Sequence, residues 1–274
     1  MTYQIKDMGT EEEFQDGRTP ASSNEWDEIF LNPGQAARTG GTLEAIFESH
    51  SVLLLHSLAA ASECEPLRAE AMSVAQVELE ERVALEEMGL LDEVLDSHTA
   101  GRVRMPVSER LGPEAQALCD RILLRALSAV SSMGTQVGEA MPRDMKLTVA
   151  DCIATSSCLE SERLCWSPGE PAVNVYTTGG EFKPHKDEQS LTVLVPLTDD
   201  ADFSGGGTAF WASDGCGADE DGSPLACAPA MVLKPPTGAA MLFGGAVTHA
   251  AQPVITGVRC VFVASFSPRT DDEG

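Results

Sequence analysis

The sequence predicts a mainly β protein with supporting helices, an antiparallel sandwich or barrel against which a helical segment packs. The first ground is a series of short apolar runs at Lys146–Ile153, Ala172–Tyr176, Leu191–Leu197, Thr208–Trp211, Met231–Leu233, Ala239–Phe243 and Cys260–Phe266. Most of them are separated by clusters of Gly, Pro, Asp or Ser, as strands joined by turns are. The second ground is that no helical pattern intervenes between these runs. The third is that the preceding segment is helical in texture yet has no core of its own, so it must bury its apolar faces on the sheet.

In chain order, residues 1–42 read as an acidic, poorly ordered lead-in. Between Asp7 and Glu28 there are eight acids and one base, with turn formers at Gly9, Gly17 and Pro20. Residues 43–145 form a helical support region. Val52-Leu53-Leu54-Leu55 reads as a short buried strand within it. Ser62-x-x-Glu65 is a capping-box signature for a helix carrying Leu67, Ala71 and Val74. A second helix is expected over Val77–Leu95, with Leu79, Val83, Leu90, Leu91 and Val94 on its apolar side. A third opens at Gly112-Pro113 and carries Leu118, Ile122, Leu123, Leu127 and Val130. Residues 146–268 are the β core, 269–274 a disordered tail, and the polar, Gly-rich stretch Asp214–Pro229 a surface loop.

The chain has 274 residues, enough for one large domain or a domain with an appended lobe. Its 43 acidic and 18 basic residues give a net charge of -25, a field that repels nucleic-acid phosphate and anionic lipid. No signal-peptide pattern and no apolar run of membrane-spanning length is visible, so a cytoplasmic protein with no membrane partner is expected. None of the eight cysteines forms a Cys-x-x-Cys pair. Reduced thiols fit a cytosolic protein; a Cys216–Cys227 bridge fits an exported one. Oligomeric state is left open.

Histidine occurs at five positions only: His50, His56, His98, His185 and His249. His185 and Asp187 stand two apart, and on extended chain residues i and i+2 project to one face, where an imidazole and a carboxylate can meet one metal ion. Alone, His-x-Asp is weak. His249 follows 62 residues after Asp187, beyond a strand end and a Gly-rich turn, Phe243-Gly244-Gly245. Two histidines and a carboxylate form the facial triad suited to oxygen-activating iron(II), which leaves coordination positions open. A structural zinc site would want four closed ligands, and no cysteine is suitably placed. Arg259, ten residues after His249, opens the last apolar run; facing inward, its planar fork would grip a carboxylate.

The stretch Asn174-Val175-Tyr176-Thr177-Thr178-Gly179-Gly180-Glu181-Phe182-Lys183-Pro184-His185-Lys186-Asp187 resembles the Fe(II)/2-oxoglutarate-dependent dioxygenases of the prolyl 4-hydroxylase type. Phe203-Ser204-Gly205-Gly206-Gly207-Thr208-Ala209-Phe210 is similar to that family's Gly-Gly strand. The segment from Pro235-Pro236 through Phe243, His249, Pro253-Val254 and Gly257 to Arg259 is similar to its closing segment. The resemblance implies a double-stranded β-helix (jelly-roll) barrel buttressed by N-terminal helices. It implies His185, Asp187 and His249 as ligands of Fe(2+), and Arg259 and Tyr176 as residues that bind 2-oxoglutarate. Asn174 is a further candidate, from the Asn-x-Tyr spacing of the nucleic-acid demethylase branch. The resemblance also implies O2 as co-substrate, with ascorbate as a further candidate.

The expected reaction hydroxylates a peptidyl residue, proline by analogy, or a small molecule, and releases succinate and CO2. The alternatives are an oxidative nucleic-acid demethylase and a non-enzymatic β-barrel binding module; the charge of -25 disfavours the first of these. Val261 stands where an Arg-x-Ser variant of co-substrate binding would place serine. Lys183 and Lys186 flank His185, and Trp211 is either a pocket wall or a packed hairpin residue.

Overall fold

Two sheets face each other in the computed structural model, which describes residues 25–32, 34, 40–88, 101–212 and 228–269, the side chains of 85–87 excepted. The chain begins with β1 (Trp26–Phe30), α1 (Thr42–Phe47), β2 (Ser51–Leu55) and α2 (Ala61–Glu87). Next come β3 (Arg102–Pro106), α3 (Val107–Arg110), α4 (Pro113–Val137), α5 (Arg143–Thr155) and β4 (Leu164–Trp166). The rest is strand: β5 (Ala172–Tyr176), β6 (Phe182–His185), β7 (Leu191–Pro196), β8 (Phe203–Gly205) and β9 (Thr208–Phe210). It closes with β10 (Met231–Leu233), β11 (Ala240–Phe243), β12 (His249–Ala251), β13 (Val254–Gly257) and β14 (Arg259–Pro268).

The major sheet runs β1-β2-β11-β7-β14-β5-β3, with β4 added to β14, and the minor sheet runs β10-β9-β12-β6. Successive strands cross between them: β5 is major, β6 minor, β7 major, β9 and β10 minor, β11 major, β12 minor and β14 major. All pairings are antiparallel. This is the double-stranded β-helix.

Period-two alternation divides the major sheet between two cores. Val173, Val175, Val193, Val195, Leu242, Cys260, Phe262, Ala264 and Phe266 face the helices, where Leu67, Ala71, Ile122 and Leu123 meet them. Val52, Leu54, Tyr176, Leu194, Met241, Phe243 and Val261 face the barrel interior. Both faces of the central strands are therefore buried, which explains why they read as continuous apolar runs. Phe262 lies on β14 between β5 and β7 and is 0% exposed. Phe262→Ala is expected to cost about 3–5 kcal/mol, read as a lower urea midpoint, because the rigid strands around it cannot close the cavity.

Five expectations are corrected. Lys146–Ile153 is not a strand but most of α5. Its buried residues are Met145, Thr148, Val149 and Cys152, at helical spacing, while Leu147 and Ile153 are exposed. The two helices expected over 62–95 are a single helix through Glu87, since no breaker separates them. Val83, placed on the apolar side, is 54% exposed. The cap at its start is also two residues earlier: Glu63, not Glu65, accepts from the Ala60 N–H (3.0 Å), and Glu65 pairs with Arg68. Finally, the acidic lead-in is not wholly irregular, because Trp26–Phe30 pairs with β2 along its full length.

The strand at 51–55 and the helix from Pro113 stand where the sequence puts them. β2 and β3 bring the support region, and β1 the end of the lead-in, into the major sheet, so both halves of the chain build it. Residues 1–24 of the lead-in, 89–95 of the expected second helix, His98, the loop 213–227 with Cys216 and Cys227, and the tail 270–274 lie outside the described residues. The six described cysteines carry no disulfide. Among the described residues no helix is long and apolar enough to cross a membrane.

Candidate metal centre

Strand pairing assembles the cluster. His185 ends β6, His249 opens β12, and the register of that pair sets them opposite each other, their rings 4.3 Å apart. Asp187 reaches between them: Oδ1 is 3.4 Å from His185 Nε2, and Oδ2 is 3.6 Å from His249 Nε2. One ligand atom from each residue lies within 4.8 Å of the others, and among the described residues this is the one such group of three. Ligands at roughly 2 Å from an ion stand about 3 Å apart when at right angles, so the cluster is near the size of a divalent cation.

The donor atoms are oriented for that purpose. His185 Nδ1 is 2.8 Å from the Lys183 carbonyl and His249 Nδ1 is 3.2 Å from the Val247 carbonyl. A carbonyl only accepts, so each Nδ1 carries a proton, and it is each Nε2 that faces the cluster and, in a neutral ring, offers its lone pair there. Thr192 donates to Asp187 Oδ2 (2.6 Å), which turns the carboxylate toward the histidines. Burial, reinforced by the neighbouring His185 and opposed by Asp187, pushes the His249 pKa down to about 4, so the ring is neutral at pH 7. Burial would raise the Asp187 pKa, but hydrogen bonds from a protonated His185 and from Thr192, with the positive charge of a protonated His249, outweigh it and hold the carboxyl below its usual range. Neutral imidazoles and an ionised carboxylate are what a cation needs, and this donor set fits iron(II).

The glycines before His249 have a packing reason. A Cβ on Gly245 would stand 1.9 Å from the Gln189 carbonyl oxygen. The bare backbone lets the Glu188 N–H donate to the Gly245 carbonyl (3.0 Å), tying the His-x-Asp segment to the turn that delivers His249.

Arg259 enters the barrel from the first position of β14, 5% exposed, and donates through Nη2 to Thr208 Oγ1 (2.9 Å). It stands abreast of Tyr176 on β5, its Cζ 5.5 Å from that ring. A Cβ on Gly206, which has φ 62°, would sit 3.3 Å from Arg259 Cδ and 2.8 Å from the Phe203 ring. The Gly-Gly strand thus leaves room for this side chain. Burial lowers the Arg259 pKa from its usual value, and among the described residues no carboxylate lies within ion-pair distance. An isolated buried cation is costly, and an anion from outside would offset that cost.

A cavity of about 210 Å³ holds all six residues singled out in the sequence: His185, Asp187, His249, Arg259, Tyr176 and Asn174. Asn174 is engaged within the protein, its Oδ1 accepting from Arg102 Nε (3.2 Å) and Nη2 (3.0 Å). Lys186 lines the cavity. Trp211 is buried against Ala209, Ala250 and Val232, as a packed hairpin residue is.

Sequence reasoning missed Arg102, Arg104, Glu170 and Thr208, all of which line the cavity. The signal for two of them was present: in Arg102-Val103-Arg104-Met105 the apolar residues alternate with arginines. Val103 and Met105 face the helices, which sends both arginines to the barrel side.

Fold and cluster define the class: a double-stranded β-helix with a two-histidine, one-carboxylate site inside the barrel. No known sequence family and no curated protein matches the chain by sequence. Among solved structures it is similar to HygX from Streptomyces hygroscopicus, which has nickel and 2-oxoglutarate bound. That match is 14% identical at a TM-score of 0.46, over 86% of this chain and 87% of that one. A Pseudomonas putida prolyl-4-hydroxylase matches at 15% identity and TM-score 0.41, over 84% of this chain and 100% of its own. A 2OG-Fe(II) oxygenase family oxidoreductase from Burkholderia pseudomallei matches at 16% and 0.29, over 41% of this chain; the match spans only 48% of that protein. Identity this low and superposition this loose leave the chemistry of the site to decide its function.

Proposed function

We propose that the chain is an Fe(II)- and 2-oxoglutarate-dependent oxygenase that hydroxylates a small molecule or a peptidyl residue, releasing succinate and CO2. The observation that carries this reading is the meeting, in one cavity, of the His185–Asp187–His249 cluster with the buried, carboxylate-free Arg259. A metal site alone would suit many proteins. A metal site beside an unmatched guanidinium suits a co-substrate that chelates at one end and is anionic at the other.

Iron(II), when bound, supplies the activation of dioxygen and the oxidative decarboxylation of the keto acid. His185, Asp187 and His249 would hold it on one face. Arg259, with its fork steadied by Thr208, would take the far carboxylate through two parallel hydrogen bonds. Tyr176, buried beside Arg259, offers a hydroxyl to the same carboxylate. Phe210, Phe243 and Leu194 around the cluster keep water from the reacting centre.

The test is anaerobic loading with Fe(II) and 2-oxoglutarate, followed by a succinate-release screen over free amino acids and proline peptides. Metal-dependent binding of 2-oxoglutarate and substrate-stimulated succinate release are expected. Absence of 2-oxoglutarate binding to the metal-loaded protein would leave a non-enzymatic barrel. Tight binding of single-stranded DNA in the same titration would favour the demethylase, against the net charge of -25.

A further inference from the structure

A second arginine faces the cavity from the other side of Tyr176. Arg102 on β3, Tyr176 on β5 and Arg259 on β14 stand abreast in register on three neighbouring strands, all on the barrel face. Arg102 is 8% exposed. Its Cζ lies 3.8 Å from the centroid of the Phe182 ring, and that ring is 4.2 Å from the ring of His185. The guanidinium is therefore one aromatic ring away from the metal cluster, and across Tyr176 from Arg259.

Its partners within the protein are neutral. Nε and Nη2 both donate to the single oxygen Asn174 Oδ1, and the faces of Phe182 and Tyr176 flank the group. Arg104, two residues along the same strand, has its own carboxylate in Glu170 (2.8 Å). Arg102 has no carboxylate within ion-pair distance among the described residues, although acids outnumber bases 43 to 18 in the chain. A buried fork fixed by an amide and an aromatic face, and left without a counter-ion, is oriented for a planar anion.

We infer that Arg102 holds the carboxylate of the molecule that is oxidised, and that the substrate is a small carboxylic acid of amino-acid size rather than an internal proline of a peptide. This rests on the oxygenase reading, with Arg259 taken by 2-oxoglutarate. The short path from Arg102 over Phe182 to His185 sets the length. A carboxylate on the guanidinium leaves only a few bonds between itself and a C–H at the metal, and an internal proline, or any internal peptide residue other than Asp or Glu, has no free carboxylate there. The Asn174 Oδ1 bonds make Asn174 a positioning residue for Arg102.

The test uses the nickel(II)-loaded protein saturated with 2-oxoglutarate and titrated by calorimetry with free L-amino acids, their carboxamides and capped proline tripeptides. At least one free acid is expected to bind, with its carboxamide and the capped peptides weaker by about tenfold or more. Arg102→Gln should weaken that acid by a similar factor while 2-oxoglutarate affinity stays unchanged, and Arg102→Lys should fall between. The assignment is overturned by equal binding of acid and carboxamide, by a glutamine variant that binds the acid as wild type does, or by no free acid binding at all. It is overturned equally if Arg102→Gln loses 2-oxoglutarate, which would place this arginine on the co-substrate. Nickel-dependent 2-oxoglutarate binding is measured first on the wild type. Its absence ends the oxygenase reading and this inference together, whereas its presence without a bound acid ends the inference alone.

Discussion

His185→Ala and Asp187→Ala are each expected to bring succinate release down to the level of the metal-free protein, a loss of more than about 100-fold. Even groups one step removed from a metal cost 10–100-fold when deleted. The reason is local. The three ligand atoms lie within 4.8 Å of one another, and no other His, Cys, Asp or Glu among the described residues completes a group of three. Metal content after equilibrium dialysis, measured beside activity, separates loss of the ion from loss of the fold. A variant that keeps both its metal and wild-type succinate release would remove His185 or Asp187 from the ligand set. Chelation of the wild type should reproduce the variants' inactivity, and added Fe(II) should restore wild type but neither variant.

Arg259→Ala is expected to raise the apparent KM for 2-oxoglutarate by about 30-fold or more, since losing one partner of a buried charge pair costs about 2–5 kcal/mol. The effect on KM should exceed that on kcat, because the far carboxylate is gripped equally in the ground and transition states. Arg259→Lys should recover only part of the affinity, for an ammonium supplies charge without the fork. Arg259→Met sharpens the test. In the ligand-free protein the guanidinium is buried beside Thr208 and Tyr176 without a carboxylate, so an apolar side chain of similar length should leave thermal stability unchanged or raised. The stabilisation that 2-oxoglutarate confers on the wild type should then be missing. An unchanged KM in the alanine variant would point Arg259 away from the co-substrate.

Much of the site was legible in the chain because its residues are reported by local constraints. His-x-Asp needs only extended backbone for both side chains to share a face. The glycines at 206 and 245 mark places where another part of the chain comes too close for a Cβ. The strands from Ala172 onward were readable because both of their faces are buried, which makes them continuous apolar runs. α5 was misread for a related reason. Leu147 and Ile153 look like core residues in a one-dimensional pattern but are exposed on the helix that forms.

By itself, then, the sequence determined the strand-rich class, the metal-ligand set as a candidate and the arginine that follows it. Only the tertiary structure decided that His249 stands across from His185, that Arg259 is buried without a carboxylate, and that Arg102 shares the cavity. Arg102 lies 72 residues before its partner Asn174, on a short strand whose alternation marks the face of the arginine but not its burial. Periodicity specifies which face of an element a side chain takes. What that face meets depends on strand order and register, which long-range pairing sets after the local pattern has been spent.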